Sequence, residues 1–117
     1  MTPDAFDAVV WQTLDALPDW VREALDNIEL IIQDQPGPEL DPEDDGLLGL
    51  YLGTPLTERS TEDVGVVPDV IYVFRLPHLA LGLPQAELVS EIQTTLIHEI
   101  AHFFGIDDDH LDEIGWG

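Results

Sequence analysis

Two histidines one helical turn apart with a glutamate between them, His98-Glu99-Ile100-Ala101-His102, restrict this chain more than any other feature. A helix advances about 100° per residue, so positions 98 and 102 stack on one face. The surrounding residues read as such a helix. Glu91, Thr95, His98 and His102 form a polar stripe, while Ile92, Leu96, Ile100 and Phe103 form an apolar face flanked by Ile97, Ala101 and Phe104. A helix of that pattern must be buried on most sides with one polar groove left open. The rest of the chain has to surround it without covering the stripe.

The spacing also carries chemistry. Two imidazoles so placed share one Zn²⁺ at the roughly 2.0–2.1 Å that zinc–nitrogen bonds need. Glu99 sits one step round from His98, within reach of a water on the metal without being a ligand. From there it takes the water's proton and later passes it to a leaving amine. Gly105 follows the last periodic residue and suits the left-handed turn that ends a helix. Beyond it come Asp107, Asp108, Asp109 and His110. Asp108 occupies the last place of the pattern His-Glu-x-x-His-x-x-Gly-x-x-His, with a carboxylate where that pattern has imidazole, and carboxylate oxygen is an accepted zinc ligand. The expected ligand set is therefore His98, His102 and Asp108. Asp109 and His110 remain rivals for the third place, and part of the acidic run serves as a solvated turn or helix start.

On these residues the chain resembles a family of small actinobacterial zinc metallopeptidases with a minimal zincin-like domain. These proteins carry His-Glu-x-x-His-x-x-Gly-x-x-Asp near the C-terminus. The resemblance continues upstream through residues 48–60, from Leu48-Gly49-Leu50-Tyr51 to Arg59-Ser60, and through residues 68–75, Pro68-Asp69-Val70-Ile71-Tyr72-Val73-Phe74-Arg75. It implies a compact α+β fold with a short mixed or antiparallel sheet beside the active-site helix. It implies zinc at the positions matched by His98, His102 and Asp108, and Glu99 as the base. It also implies a sheet edge that holds an extended peptide by strand addition, supplied from Leu47–Leu56 or Val70–Phe74. Two departures stand out. There is no Met-turn, since the only methionine is Met1, and only twelve residues follow Gly105. Those gaps define the alternative function, a zinc-binding structural or regulatory protein without significant peptidase activity.

Composition bounds the partners. With 117 residues the chain suits one domain, spanning 1–117, with a modest core. Twenty-five acidic residues face three arginines and no lysine, for a net charge of −22. Such a surface repels nucleic acid and anionic membrane and favours cationic partners or metal ions. The absence of cysteine excludes disulfides and thiolate zinc sites. The first residues hold neither a basic nor an apolar segment, so no signal peptide is expected, and no apolar run is long enough to span a bilayer. The expected setting is cytoplasmic, with a peptide or protein substrate.

Along the chain, Pro3 to Leu17 reads as a helix with Thr2 as N-cap, and Asp19 to Leu25 as a second, short one after Pro18. Trp11 and Trp20 are expected to anchor both helices against the sheet. Asn27 to Gln33 and Val70 to Phe74 read as strands, and Leu47 to Leu56 as a short strand or irregular apolar element. Leu40 to Gly46 reads as a solvated acidic loop, because it lacks the ligand spacing of a calcium loop. Thr57 to Gly65 reads as a surface loop. His78 is expected to be exposed on the connection before the long helix, which begins near Pro84. Leu111, Ile114 and Trp116 are expected to close over the site as an apolar plug. Tyr51, Tyr72 and Arg75 are the candidate donors to a developing oxyanion. Strands framed by helices at both ends point to α+β.

Overall fold

A computed structural model describes residues 1–56 and 69–106. The expected loop at Thr57–Gly65, the lead-in Val66–Pro68, the third ligand Asp108 with its rivals Asp109 and His110, and the plug residues Leu111, Ile114 and Trp116 lie outside the described residues.

Helix α1 spans Pro3–Asp15, and its start follows the local chemistry. The Thr2 hydroxyl accepts from the Ala5 N–H at 3.1 Å, Pro3 fills a first-turn position that has no N–H to satisfy, and Asp4 faces the positive end of the helix dipole. Phe6, Val10 and Thr13 are its buried residues. That set places Trp11 on the opposite side of the helix, which is why it does not anchor the sheet: its exposure is 46%. Trp20, on helix α2 (Asp19–Ala24), is 66% exposed and touches Phe104 edge-on at 5.8 Å. The expectation that both tryptophans anchor the sheet is overturned.

Strands β1 (Ile28–Gln33), β2 (Gly49–Leu52) and β3 (Asp69–Phe74) form a mixed sheet in the order β1-β3-β2. β1 runs parallel to β3, pairing Leu30 with Ile71, and β2 runs antiparallel to it, pairing Tyr51 with Ile71. β3 is thus central with both edges paired, so among the described strands expected to hold a peptide only β2 has an outer edge. Ile71 and Val73 face the core, while Tyr72 and Phe74 stack on the other face at 5.8 Å, the alternation a strand imposes.

A short helix α3 (Arg75–Leu79) leads to the long helix α4 (Gln85–Phe103). α4 packs on α1, β2, β3 and α3. Ile92, Leu96 and Ile100 join Phe6, Val10, Ile71 and Val73 in one core, so the apolar face read from the sequence is the buried one. Arg75 ties the far side together. Its guanidinium donates two bonds to Asp7 at 2.8 Å and one to Asp34 at 3.0 Å, linking α1 to the chain after β1. With two carboxylates around it, the Arg75 proton is held more tightly than usual.

α4 ends as the sequence requires. Gly105 has φ +85°, its N–H donates to the His102 carbonyl at 2.9 Å, and the Ile106 N–H donates to the Ala101 carbonyl at 2.9 Å. These two bonds are a Schellman cap, which reverses the chain just past His102. A side chain at position 105 strains that turn. Gly105→Ala is expected to cost about 1–2 kcal/mol, read as a lower midpoint in thermal unfolding followed by circular dichroism. An unchanged midpoint means the left-handed cap does not form.

Candidate active site

The polar stripe of α4 is only partly open. His98 and His102 are half-buried, Thr95 and Glu99 are buried, and the two imidazole rings meet edge-on at 4.5 Å. One potential ligand atom from each of His98, Glu99 and His102 lies within 4.8 Å of the others. Glu99 Oε1 accepts from the Tyr51 backbone N–H at 3.0 Å and lies 3.3 Å from His102 Nδ1. A buried carboxylate needs donors, and here a strand supplies one.

Gly49 makes that bond reachable. A Cβ built on it would stand 2.7 Å from Thr95 Cγ2 and 3.0 Å from the Tyr72 carbonyl oxygen. Only a residue without a side chain lets β2 lie this close to α4, which brings the Tyr51 N–H to Glu99. Between α4 and the segment entering β2 runs a groove of about 360 Å³, with residues 46–49 on one wall and Glu91, Thr94, Thr95, His98 and Glu99 on the other. The wall at residues 46–49 is pinned by Asp41. Its carboxylate accepts from the N–H groups of Asp45 at 3.0 Å and Leu47 at 3.2 Å, and those bonds hold it below the usual carboxylate range.

His78 lies behind the opposite wall, at Thr95 of α4, and corrects the expectation of an exposed loop histidine. It is fully buried on α3, with Nδ1 2.6 Å from the Phe74 carbonyl and Nε2 2.9 Å from Thr95 Oγ1. A ring nitrogen facing a carbonyl has to donate, so in the neutral ring Nε2 accepts the Thr95 hydroxyl hydrogen. The Glu91 carbonyl, 3.0 Å from Thr95 Oγ1, is the competing acceptor. Burial pushes the His78 pKa down, against the opposing pull of the Phe74 carbonyl and the Glu91 charge. The flanks of His78 do not foretell its burial, since the neighbouring Leu76 and Leu81 are themselves exposed; the packing of α3 on α4 decides it.

The candidate oxyanion donors are placed elsewhere or engaged. The Tyr51 hydroxyl donates to the buried Asp69 at 3.0 Å, Arg75 is bound to Asp7 and Asp34, and Tyr72 lies on the sheet face opposite Ile71 and Val73. His98, Glu99 and His102 are the predicted site residues that the described structure brings together.

The family model of zincin-like metallopeptidases matches residues 25–116. The chain belongs to the zincin-like metallopeptidase family. Its fold is similar to that of a conserved hypothetical protein from T. thermophilus, at 23% identity and a TM-score of 0.57, with 97% of each chain covered. At that identity the likeness is one of fold. No curated protein matches the sequence. Among the described residues, no helix is long and apolar enough to cross a membrane.

Two outcomes follow from the packing behind His98, Glu99 and His102. Gly49→Ala forces β2 away from α4 and is expected to cost about 1–3 kcal/mol of stability in denaturant titration; full stability retained would contradict the contact. His78 titrates below its ordinary 6.5 when folded, so as pH falls the unfolded chain takes up that proton first. Its contribution to stability is therefore complete above that value and declines as pH drops through it. The difference in melting temperature between about pH 7.5 and 5.5 is expected to shrink in His78→Leu, and an unchanged difference would exclude the buried ring as its source.

Proposed function

We propose that this protein is a zinc-dependent metallopeptidase that hydrolyses bonds in a peptide or protein substrate. His98 and His102 hold the metal, Asp108 is the third ligand, and Glu99 is general base and then general acid. The observation that carries this reading is the convergence of His98, Glu99 and His102, the first two lining one end of an open groove, in a chain of the zincin-like family.

The donor set fits zinc. Two imidazole nitrogens with carboxylate oxygen suit that ion, whereas calcium and magnesium take shells of oxygen. When bound, the ion supplies Lewis acidity and a water acidified toward neutral pH. The chain's residues do the rest. The Tyr51 N–H fixes one oxygen of Glu99, which orients the carboxylate and leaves its other oxygen to move a proton. His98 and His102 are held on one face by a helix buried along its opposite side, so their separation is set before any ligand arrives. β2, the outer strand on this side of the sheet, is the strand suited to align an extended substrate, through outward main-chain groups other than the Tyr51 N–H that Glu99 holds.

Glu99→Gln is expected to keep zinc, measured by elemental analysis of the purified protein, while peptide turnover falls by about 10²–10⁴-fold. His98→Ala is expected to lose the metal. Turnover retained in Glu99→Gln removes this mechanism. Unfolding on chelation with no cleavage of a peptide library points instead to a structural metal.

A further inference from the structure

We propose that the groove beside His98 and Glu99 selects peptides with a basic side chain about three residues from the scissile bond, and that Glu91 is the residue that reads it. The proposal names the substrate class of the peptidase site argued above and rests on that reading.

Glu91 lies seven residues before His98 on α4, two helical turns and about 10.5 Å along the axis, nearly on the same face. Both residues line the same groove. An extended peptide rises about 3.3 Å per residue, so a side chain three positions from a carbonyl held at His98 arrives at Glu91. Between those points the opposite wall is main chain and the apolar Leu47 and Leu48, which accept many side chains alike. The charged lining is acidic throughout: Glu91 and Glu99, with no arginine among the lining residues. The described arginines are committed elsewhere, Arg22 to Asp19 and Arg75 to Asp7 and Asp34. Glu91 is half-buried, so a cation arriving there meets it across a partly shielded gap. Exposed Glu43, Asp44 and Asp45 stand at the approach to the wall formed by residues 46–49 and draw the same charge toward the groove.

The probe is a set of fluorescein-labelled alanine-based octapeptides with a single Arg, Leu or Glu moved through each position. Binding to the zinc-supplemented full chain is read by anisotropy, and cleavage is read separately by mass spectrometry. Arg at one fixed register is expected to bind about fivefold tighter than Leu. That preference disappears in Glu91→Gln, turns toward Glu in Glu91→Arg, and persists in Glu29→Gln, an equal change of charge at an exposed position of β1. Circular dichroism verifies that each variant is folded. A preference spread evenly over all positions, or unaltered in folded Glu91→Gln and Glu91→Arg, overturns the proposal and leaves net charge as its cause. Metal-dependent cleavage without an Arg register also overturns it, while the peptidase reading stands. A register-specific preference in binding with no cleavage supports Glu91 as the reader and removes the peptidase reading.

Discussion

One hydrogen bond, from the Tyr51 N–H to Glu99 Oε1 at 3.0 Å, joins the edge of the sheet to the helix that carries the histidines. It stands for a wider constraint. With three arginines for twenty-five carboxylates, only a few acids find a cation, as Asp7 does in Arg75, and the others that face the protein need different donors. Backbone N–H groups and hydroxyls take that role. Asp41 is held by the N–H groups of Asp45 and Leu47, Asp69 by the Tyr51 hydroxyl and the Thr54 N–H, and Glu99 by Tyr51. Such donors are fixed by the fold, so each carboxylate they hold is fixed in orientation as well.

The consequence for the site is rigidity on the protein side of the groove. Asp41 sets the loop that forms one wall, and Gly49 brings that wall against α4. Thr95, which Gly49 abuts, is itself anchored through His78 to the end of β3. A buried polar relay therefore runs from the central strand to the turn of α4 that precedes His98. Catalytic or metal-binding side chains on a helix gain precision when their neighbours cannot repack, and the core of Ile92, Leu96 and Ile100 provides this from below.

Charge and shape cooperate in the groove. The acidity that leaves few cations for internal salt bridges also gives the opening one sign, and His98 and Glu99 lie at one end of it. The layout of helix beside sheet tolerates wide sequence change, as the 23% identity across 97% of each chain illustrates.

The elements written in short-range patterns were legible in the sequence. The α4 stripe, the Thr2 cap, the Gly105 stop and the β3 run each depend on residues within a few positions of one another, and each is where local chemistry puts it. The His98-Glu99-His102 grouping belongs with them, since one helical turn suffices to bring the three together. What required the tertiary structure is everything that pairs residues distant along the chain: Tyr51 with Glu99, Gly49 with Thr95, Arg75 with Asp7. Trp11 and Trp20 face outward because Phe6, Val10 and Val21 already occupy the places against the core, and His78 is buried because α3 packs onto α4. Periodicity tells which side of a helix is apolar. It does not tell which neighbour arrives there first, because that competition for buried volume is settled only when all the elements pack at once.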